Sequence, residues 1–551
     1  MSAIAVWQKG GTNGTYSAHS PACCWDRKRL VPVYLAVLFA TTFPIMRPLL
    51  PVDRALHEPA GDSVLLRSIG SEGASVTAAV ILAAFYLATS VYIASHRLFW
   101  FDELFIVRIA QLPTITAMWH ALAHASDTMP PGYHLVARVV GRLLGYSELS
   151  MRLPSALAMV AGLLLVFDCT RRVTDGRHGL IAFSFLTCSV LPFYGYEARP
   201  YAFYFLLSAL AIWLWVCIPE NTGWSAACFG AVLCVAVTMH YYAVLCIVPY
   251  ALWEVVNWRS GLWPSRKLLA GMAGVALATA LVGRLAISYS RQFGSTFWAS
   301  PSFFGLRVAF AELFPSGLFL FALLTLWIVI WRLRDRSVVV APREPVESLG
   351  WLFIAIPLLG FLLAELKTNA FLIRYFIGVL PGIAIAFSSL LSRHFHSSRW
   401  ISAGVLVLFV AWGGAEQWSV VEHPDRIDPF GQQTATRRYL QTEPFIVASG
   451  KQFILFDDAM LHMEARHYSR HPEECILLLR KNGLQYIPTV GIQANLSQYS
   501  PARLWQIDDL KQHARETVLI NPAPDTLQAM REAGFRTFFQ FPKPVEIVFF
   551  Q

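Results

Sequence analysis

Long apolar runs separated by short basic stretches dominate the first 415 positions of the chain. A helix that crosses a bilayer needs roughly 20 mainly apolar residues, and about 17 suffice. "GASVTAAVILAAFYLATSVYIAS" (73–95), "SALAMVAGLLLVFDC" (155–169), "GLIAFSFLTCSVLPFYG" (179–195) and "AFYFLLSALAIWLWVCI" (202–218) predict such helices. The run 224–256 is too long for one crossing and predicts two short helices broken near His240. Further spans are expected at 268–288, 309–331, 350–365, 371–392 and 400–414. The segment 30–46 is apolar too, but Pro32, Pro44 and the nearby Pro48 fit either a re-entrant hairpin or an extra helix. The whole set amounts to about 11–13 spans.

Past Glu416 the pattern changes. "EPFIVAS", "CILLL", "ETVLIN", "RTFFQF" and "VEIVFF" are short strand-like runs, and "DTLQAMREAGF" has a helical spacing that stops at Gly534. The expected fold class is mainly α. A tail (1–72) precedes a polytopic membrane helix bundle (73–415), and a small α/β domain (416–551) of ordinary domain size follows.

Composition supports this division. Hydrophobic residues fill 56% of the 551 positions and charged ones 14%, where a soluble chain carries roughly a quarter charged. Mean hydropathy is +0.48. The net charge of +9 reads as Lys and Arg holding loops at the cytoplasmic face, and nucleic-acid binding is not expected. The nine cysteines show no C-x-x-C spacing, so neither a disulfide framework nor a zinc site is expected. The first twenty residues are polar and rich in Gly, Ser and Thr, and no cleavable signal peptide is expected. "TRRVTDGRH" (170–178), "NWRSGLWPSRK" (257–267), "WRLRDRSVVVAPR" (331–343) and "SRHFHSSR" (392–399) are the basic loops. Placing all of them in the cytoplasm puts 96–150, 193–201, 289–308 and the C-terminal domain on the extracytoplasmic side.

That side collects the candidate chemistry. Asp102 and Glu103 leave a span in "RLFWFDELFIVRIAQ". They suit the acidic first turn of a helix, and equally a carboxylate raised toward general-base range by an apolar boundary. In "DTMPPGYHLVARVVGRLLGYSELSMRLPSAL", Pro130 and Pro131 can open a helix. Val136, Val139, Val140, Leu143 and Leu144 line one side of it, opposite Arg138 and Arg142, as in a helix lying in the interface. Glu197 and Arg199 share a short turn in "YGYEARPYAFYF", His240 and Tyr241 interrupt "TMHYYAVLC", and Arg374 opens "RYFIGVLPGIA". Ionisable groups at such depth are functional candidates. A local ion pair, a satisfied core histidine and simple anchoring are the plainer readings.

Taken in order, "FDE", "DTMPPGYHLVARVVGRLLGYSELSMRLPSAL", "YGYEARPYAF", "MHYYAVL" and "RYFIGVLPGIA" resemble the GT-C glycosyltransferases, specifically the glycosyltransferase family 39-like proteins. That group includes dolichyl-phosphate-mannose protein mannosyltransferases and bacterial lipid A aminoarabinose transferases. The resemblance spans 73–415. It implies a GT-C bundle in a bacterial inner or plasma membrane, and a sugar donor carried on a polyprenyl phosphate. It further implies a protein, glycolipid or glycan acceptor and a single inverting displacement. Asp102 would be the general base, Glu103 would orient the acceptor or tune that base, and Glu197 would fill the second acidic position. A leaving phosphate gains charge and calls for fixed cations, which assigns Arg199, Arg374 and Arg138, with His240 and Tyr241, to the donor phosphate. Met129 departs from the polar residue many relatives carry there. No resident cofactor is implied, although Asp102 and Glu197 could converge on a divalent metal as in oligosaccharyltransferases. A lipid or glycan transporter and an O-antigen ligase or polymerase are the competing functions. No internal repeat supports the first, and the acidic pair in the first outer loop argues against the second.

Overall fold

The computed structural model describes residues 62–219, 223–257, 264–294, 299–313, 345–395, 399–424, 432–479, 488–500, 502–541 and 547–550. The segment expected at 30–46, and all but the start of that at 309–331, lie outside these residues. Helix α1 (Asp62–His96) holds the first expected span, and α2 (Phe101–Ala110) carries the acidic pair. The paired prolines open α3 (Pro131–Leu144), which α4 (Glu148–Val173) and α5 (Gly176–Thr187) follow. Next come α6 (Tyr201–Cys217) and α7 (Gly223–Met239). The run 224–256 breaks at His240, where a 3-10 turn (Tyr241–Ile247) leads into α8 (Val248–Val256). Beyond α9 (Arg266–Phe293), a helical segment covers Pro345–Thr368. A 3-10 turn (Ile373–Val379) then enters α10 (Leu380–Phe395). The last of the bundle, α11 (Arg399–Glu422), runs through the change of composition at Glu416.

Among the described residues six helices are long and apolar enough to cross a membrane. Val80 and Ile81 on α1, Leu277 and Leu281 on α9, and Val407 on α11 are each more than half exposed. Outward apolar stripes of this extent suit a lipid surround and would be a liability in water. Helix α3 is arranged the same way. Leu135, Val139 and Leu143 face outward at four-residue spacing, while His134 and Arg138 are buried. The 179–195 span is corrected. Helix α5 stops at Thr187 and a short helix (Leu191–Gly195) follows. Pro192 lacks an N–H, and the Ser189 hydroxyl accepts from the Leu191 amide at 3.1 Å, an alternative to continuing the helix.

The C-terminal domain comprises α12 (Gln432–Ala448), β1 (Phe453–Phe456), α13 (Ala459–Tyr468), β2 (Cys475–Leu478), α14 (Pro488–Ser497) and β3 (Arg503–Trp505). It continues with α15 (Ile507–His513), β4 (Thr517–Ile520), α16 (Pro524–Glu532), β5 (Thr537–Phe541) and β6 (Ile547–Phe550). The six strands lie in the order β3-β2-β1-β4-β6-β5. Strands β3, β2, β1 and β4 run parallel, and β6 and β5 are antiparallel additions. The strands are apolar on both faces, as in covered parallel sheets. Ile454, Phe456, Val518 and Ile520 pack beneath Tyr439 and Ile446 of α12, whereas Leu455, Ile476 and Leu519 pack against Leu510 and Met530 on the other side. "EPFIVAS" is therefore corrected from strand to helix. It ends α12, where Tyr439 and Ile446 share a face seven residues apart and their burial on the sheet outweighs the β-propensity of Ile and Val.

Helix α13 has two buried faces. Leu461 and Ala465 belong to the sheet's core, while Met463 belongs to the core of the membrane bundle. The C-terminal domain is thus seated directly on α2.

Candidate active site

The turn between α1 and α2 is held by one arginine. Arg152, near the start of α4, donates to the carbonyls of Ala94 (2.9 Å), Arg97 (2.8 Å) and Leu98 (2.7 Å) at the end of α1. Its remaining donors reach Glu103, Nε to Oε1 at 2.7 Å and Nη2 to Oε2 at 2.5 Å, so all five N–H groups of the guanidinium are used. Glu103 in turn accepts from the Trp100 amide (3.2 Å), capping its own helix, and from the Ala198 amide (2.6 Å) in the second loop. Burial works against the Glu103 charge, but Arg152, Arg97 and that amide hold its carboxyl below the usual range. Glu103, expected to orient the acceptor or tune the base, is fully buried and ties the first loop to the second.

Its neighbour Asp102 turns the other way, with a side chain 12% exposed. The Asp102 Oδ2 lies 3.5 Å from Arg199 Nη2 and 3.2 Å from Arg374 Nη1. Arg199 also donates to the Asp102 carbonyl at 2.9 Å. Both guanidiniums stand 5.9 Å from the ring centre of Tyr201, within cation–π reach. Asp102 in the first turn of α2, Arg199 in the loop before α6 and Arg374 in the 3-10 turn Ile373–Val379 are thus brought together from three distant parts of the chain.

Two residues that sequence reasoning passed over join them. Asp127 lies 3.8 Å from Arg199 and 3.0 Å from His134 Nε2, with both side chains almost fully buried. Burial opposes the Asp127 charge, yet the His134 hydrogen bond and the Arg199 charge keep its carboxyl below the ordinary range. Arg199 is consequently braced between two carboxylates. Both residues stand in "DTMPPGYH", and a seven-residue separation across a helix start was the available signal.

The other candidates are placed differently. Glu197 is fully buried, and among the described residues neither of its carboxylate oxygens has a hydrogen-bond partner. Burial first, and the Glu103 charge second, push its pKa up to about 8 against the offsetting arginines at 97, 374 and 199. His240 is buried and stacks on Tyr204 with ring centres 5.2 Å apart. Its Nδ1 accepts from the Tyr242 amide, and among the described residues its Nε2 has no hydrogen-bond partner. Tyr241 packs half-buried against the bundle core. Arg138 donates to the carbonyls of Ala110 (3.0 Å), Leu112 and Pro113 (2.8 Å). It closes the C-terminal end of α2 through Nη1 and Nη2, while among the described residues its Nε has no hydrogen-bond partner. Among the described residues no group of three or more His, Cys, Asp or Glu side chains is placed to hold a metal ion.

Residues 128–283 match the family model described as dolichyl-phosphate-mannose-protein mannosyltransferase. No curated protein matches the chain. Two crystal structures of ArnT from Cupriavidus metallidurans share its fold. The one bound to undecaprenyl phosphate aligns with a TM-score of 0.53 and 14% identity, covering 86% of this chain and 97% of that one. The apo form aligns with a TM-score of 0.54 and 13% identity, covering 86% and 98%. The fold is the GT-C fold.

Proposed function

We propose that this chain, a membrane protein with the GT-C fold whose residues 128–283 match the dolichyl-phosphate-mannose-protein mannosyltransferase model, is a glycosyltransferase. It takes a sugar from a polyprenyl-phosphate donor and places it on an acceptor at the extracytoplasmic face. The observation that carries this reading is the convergence of Arg199 and Arg374 on the Asp102 carboxylate.

The reaction needs a base beside paired cations. Asp102 takes the proton from the acceptor's hydroxyl or amine. The acceptor atom bonds to the anomeric carbon as the bond from that carbon to the phosphate oxygen breaks, with inversion. The lipid phosphate leaves with the electron pair, and its growing negative charge falls to Arg199 and Arg374. Planar guanidinium forks suit two phosphate oxygens, and donors fixed in advance stabilise developing charge most. Arg199 is fixed by Asp127 and by the Asp102 carbonyl, and Glu103 with Arg152 fixes the turn that presents the base. Undecaprenyl phosphate in the similar ArnT structure and the match to the dolichyl-phosphate-mannose-protein mannosyltransferase family model support a lipid-phosphate donor.

The length of α4 is compatible with that sidedness. Arg152 and Glu103 meet at the start of α4, and Arg171 and Arg172 stand in its last turn, about 30 Å away. With those arginines in the cytoplasm, Asp102 faces outside.

The test is a transfer assay on purified protein with a panel of polyprenyl-phosphate sugars. Asp102→Asn is expected to lose about 10²–10⁴-fold in turnover and still bind undecaprenyl phosphate. Near-wild-type turnover in that variant would remove Asp102 as base. No turnover and no lipid-phosphate binding in the wild type would overturn the reading.

A further inference from the structure

We infer that the C-terminal domain is a working part of the catalytic centre: Glu464 and Tyr468 of α13 are positioning residues that hold the first turn of α2, and with it Asp102, against Arg199 and Arg374. The inference rests on the function proposed above and adds to it a role for a domain otherwise unassigned.

A helix start leaves its first N–H groups without intrahelical acceptors, and a Ser, Thr, Asp or Asn at the cap usually supplies one. Helix α2 has Trp100 at that position, with no acceptor to offer. The acceptors come from elsewhere. The Phe99 amide donates to the Tyr468 hydroxyl at 2.6 Å, the Trp100 amide to Glu103 at 3.2 Å, and the Phe101 amide to Glu464 Oε1 at 3.1 Å. Two of these three acceptors lie on α13, more than 360 residues along the chain.

Each of the two is itself fixed. Glu464 is fully buried, and its Oε2 accepts from the Thr436 hydroxyl at 2.9 Å. A carboxylate at a helix N-terminus complements the positive end of the dipole. The Tyr468 hydroxyl donates to Glu148 at 2.7 Å, in the first turn of α4, the helix whose Arg152 clamps the same turn from the membrane side. Residues 97–103 are thereby gripped from two directions. The phenol bridges the turn just before α2 to α4, and the carboxylate ties α2 to α12. Undocking α13 would strand the amides of Phe99 and Phe101 and loosen the residue next in line, Asp102. A displacement of about 1 Å at a reacting group is enough to cost about 10² in rate.

The experiment combines hydrogen exchange on the full-length protein in detergent with steady-state transfer kinetics. Glu464→Ala and Tyr468→Phe are each expected to speed amide exchange over 98–104 by about tenfold or more. Both should lower kcat and leave undecaprenyl phosphate binding unchanged. Glu464→Gln keeps an oxygen that can accept from the Phe101 amide and should restore most of both readouts. Tyr499→Phe is the control. It removes the contact of Tyr499 with His124 at 2.7 Å, a domain contact that does not touch the α2 start, and should alter neither. Unchanged exchange in both variants overturns the inference, as does faster exchange with unaltered kcat. If Glu464→Ala does not fold, Tyr468→Phe decides alone. If the wild type transfers no sugar from any donor, the proposed function fails, and the exchange arm still decides whether α13 holds α2.

Discussion

Glu103 and Arg152 meet through two hydrogen bonds, at 2.7 Å and 2.5 Å, with neither side chain exposed to solvent. This pair joins the end of α1, the start of α2 and the loop before α6 in one place. Breaking a buried pair from one side strands the other charge and costs about 3–5 kcal/mol. Arg152→Met should therefore lower the thermal unfolding midpoint in detergent sharply, and so should Glu103→Gln by itself. The double variant should recover part of the loss, because no lone charge remains. A double variant as unstable as the sum of the singles would show that the pair is not coupled.

On the proposed reading, Arg199 and Arg374 face the donor's phosphate. A hydrogen bond to a charged partner is worth about 1.5–3 kcal/mol. Arg374→Ala should then weaken binding of undecaprenyl phosphate about ten- to hundredfold. Asp102→Asn should leave that affinity unchanged or raise it, since it removes the competing carboxylate. Lipid-phosphate titration in detergent reads both. Equal affinity in wild type and Arg374→Ala would detach Arg374 from the donor.

Glu197 makes stability depend on pH. Its carboxyl titrates at about 8 in the folded protein instead of its ordinary 4.5. Between these values the unfolded chain has lost a proton that the folded one keeps. Stability from this group is complete below about pH 4.5 and declines as pH rises to about 8, at up to about 1.4 kcal/mol per pH unit. Glu197→Gln should flatten that slope and keep the protein at least as stable at pH 8. Unfolding midpoints measured from pH 5 to pH 9 check it, and an unaltered slope in the variant would put the pH dependence elsewhere.

Gly132 follows the two prolines that open α3. A Cβ there would sit 2.5 Å from the Thr238 carbonyl oxygen and 2.9 Å from its carbon, backbone atoms that cannot turn aside. Gly132→Ala should force α3 away from the end of α7 and destabilise the protein by about 1–3 kcal/mol. An unaltered unfolding midpoint would mean that the two helices separate at no cost.

The membrane part was legible wherever hydropathy alone decides. The break at His240 followed from the length of an apolar run, and the helix start at Pro131 from the paired prolines. The convergence of Asp102, Arg199 and Arg374 rested on a resemblance carried by ordered motifs, because no local pattern links residues so far apart. Three things were illegible for one reason, which is that partners distant in sequence decide them. Arg138 turns to the carbonyls closing α2, Glu103 faces inward while its neighbour faces out, and Asp127 pairs with His134. In the C-terminal domain four of the five strand-like runs are strands, since a sheet covered on both faces writes itself as continuous apolar residues. "EPFIVAS" has the same look because its apolar residues also meet that sheet, but from a helix.

The Asp102 carboxylate occupies both guanidiniums that a phosphate would need. On the proposed reading, donor entry is therefore an exchange of one anion for another, and the incoming lipid unfastens the base as it docks. Until a donor arrives the carboxylate stays paired with the two guanidiniums, and it is released toward an acceptor only when the sugar's carrier has taken its place.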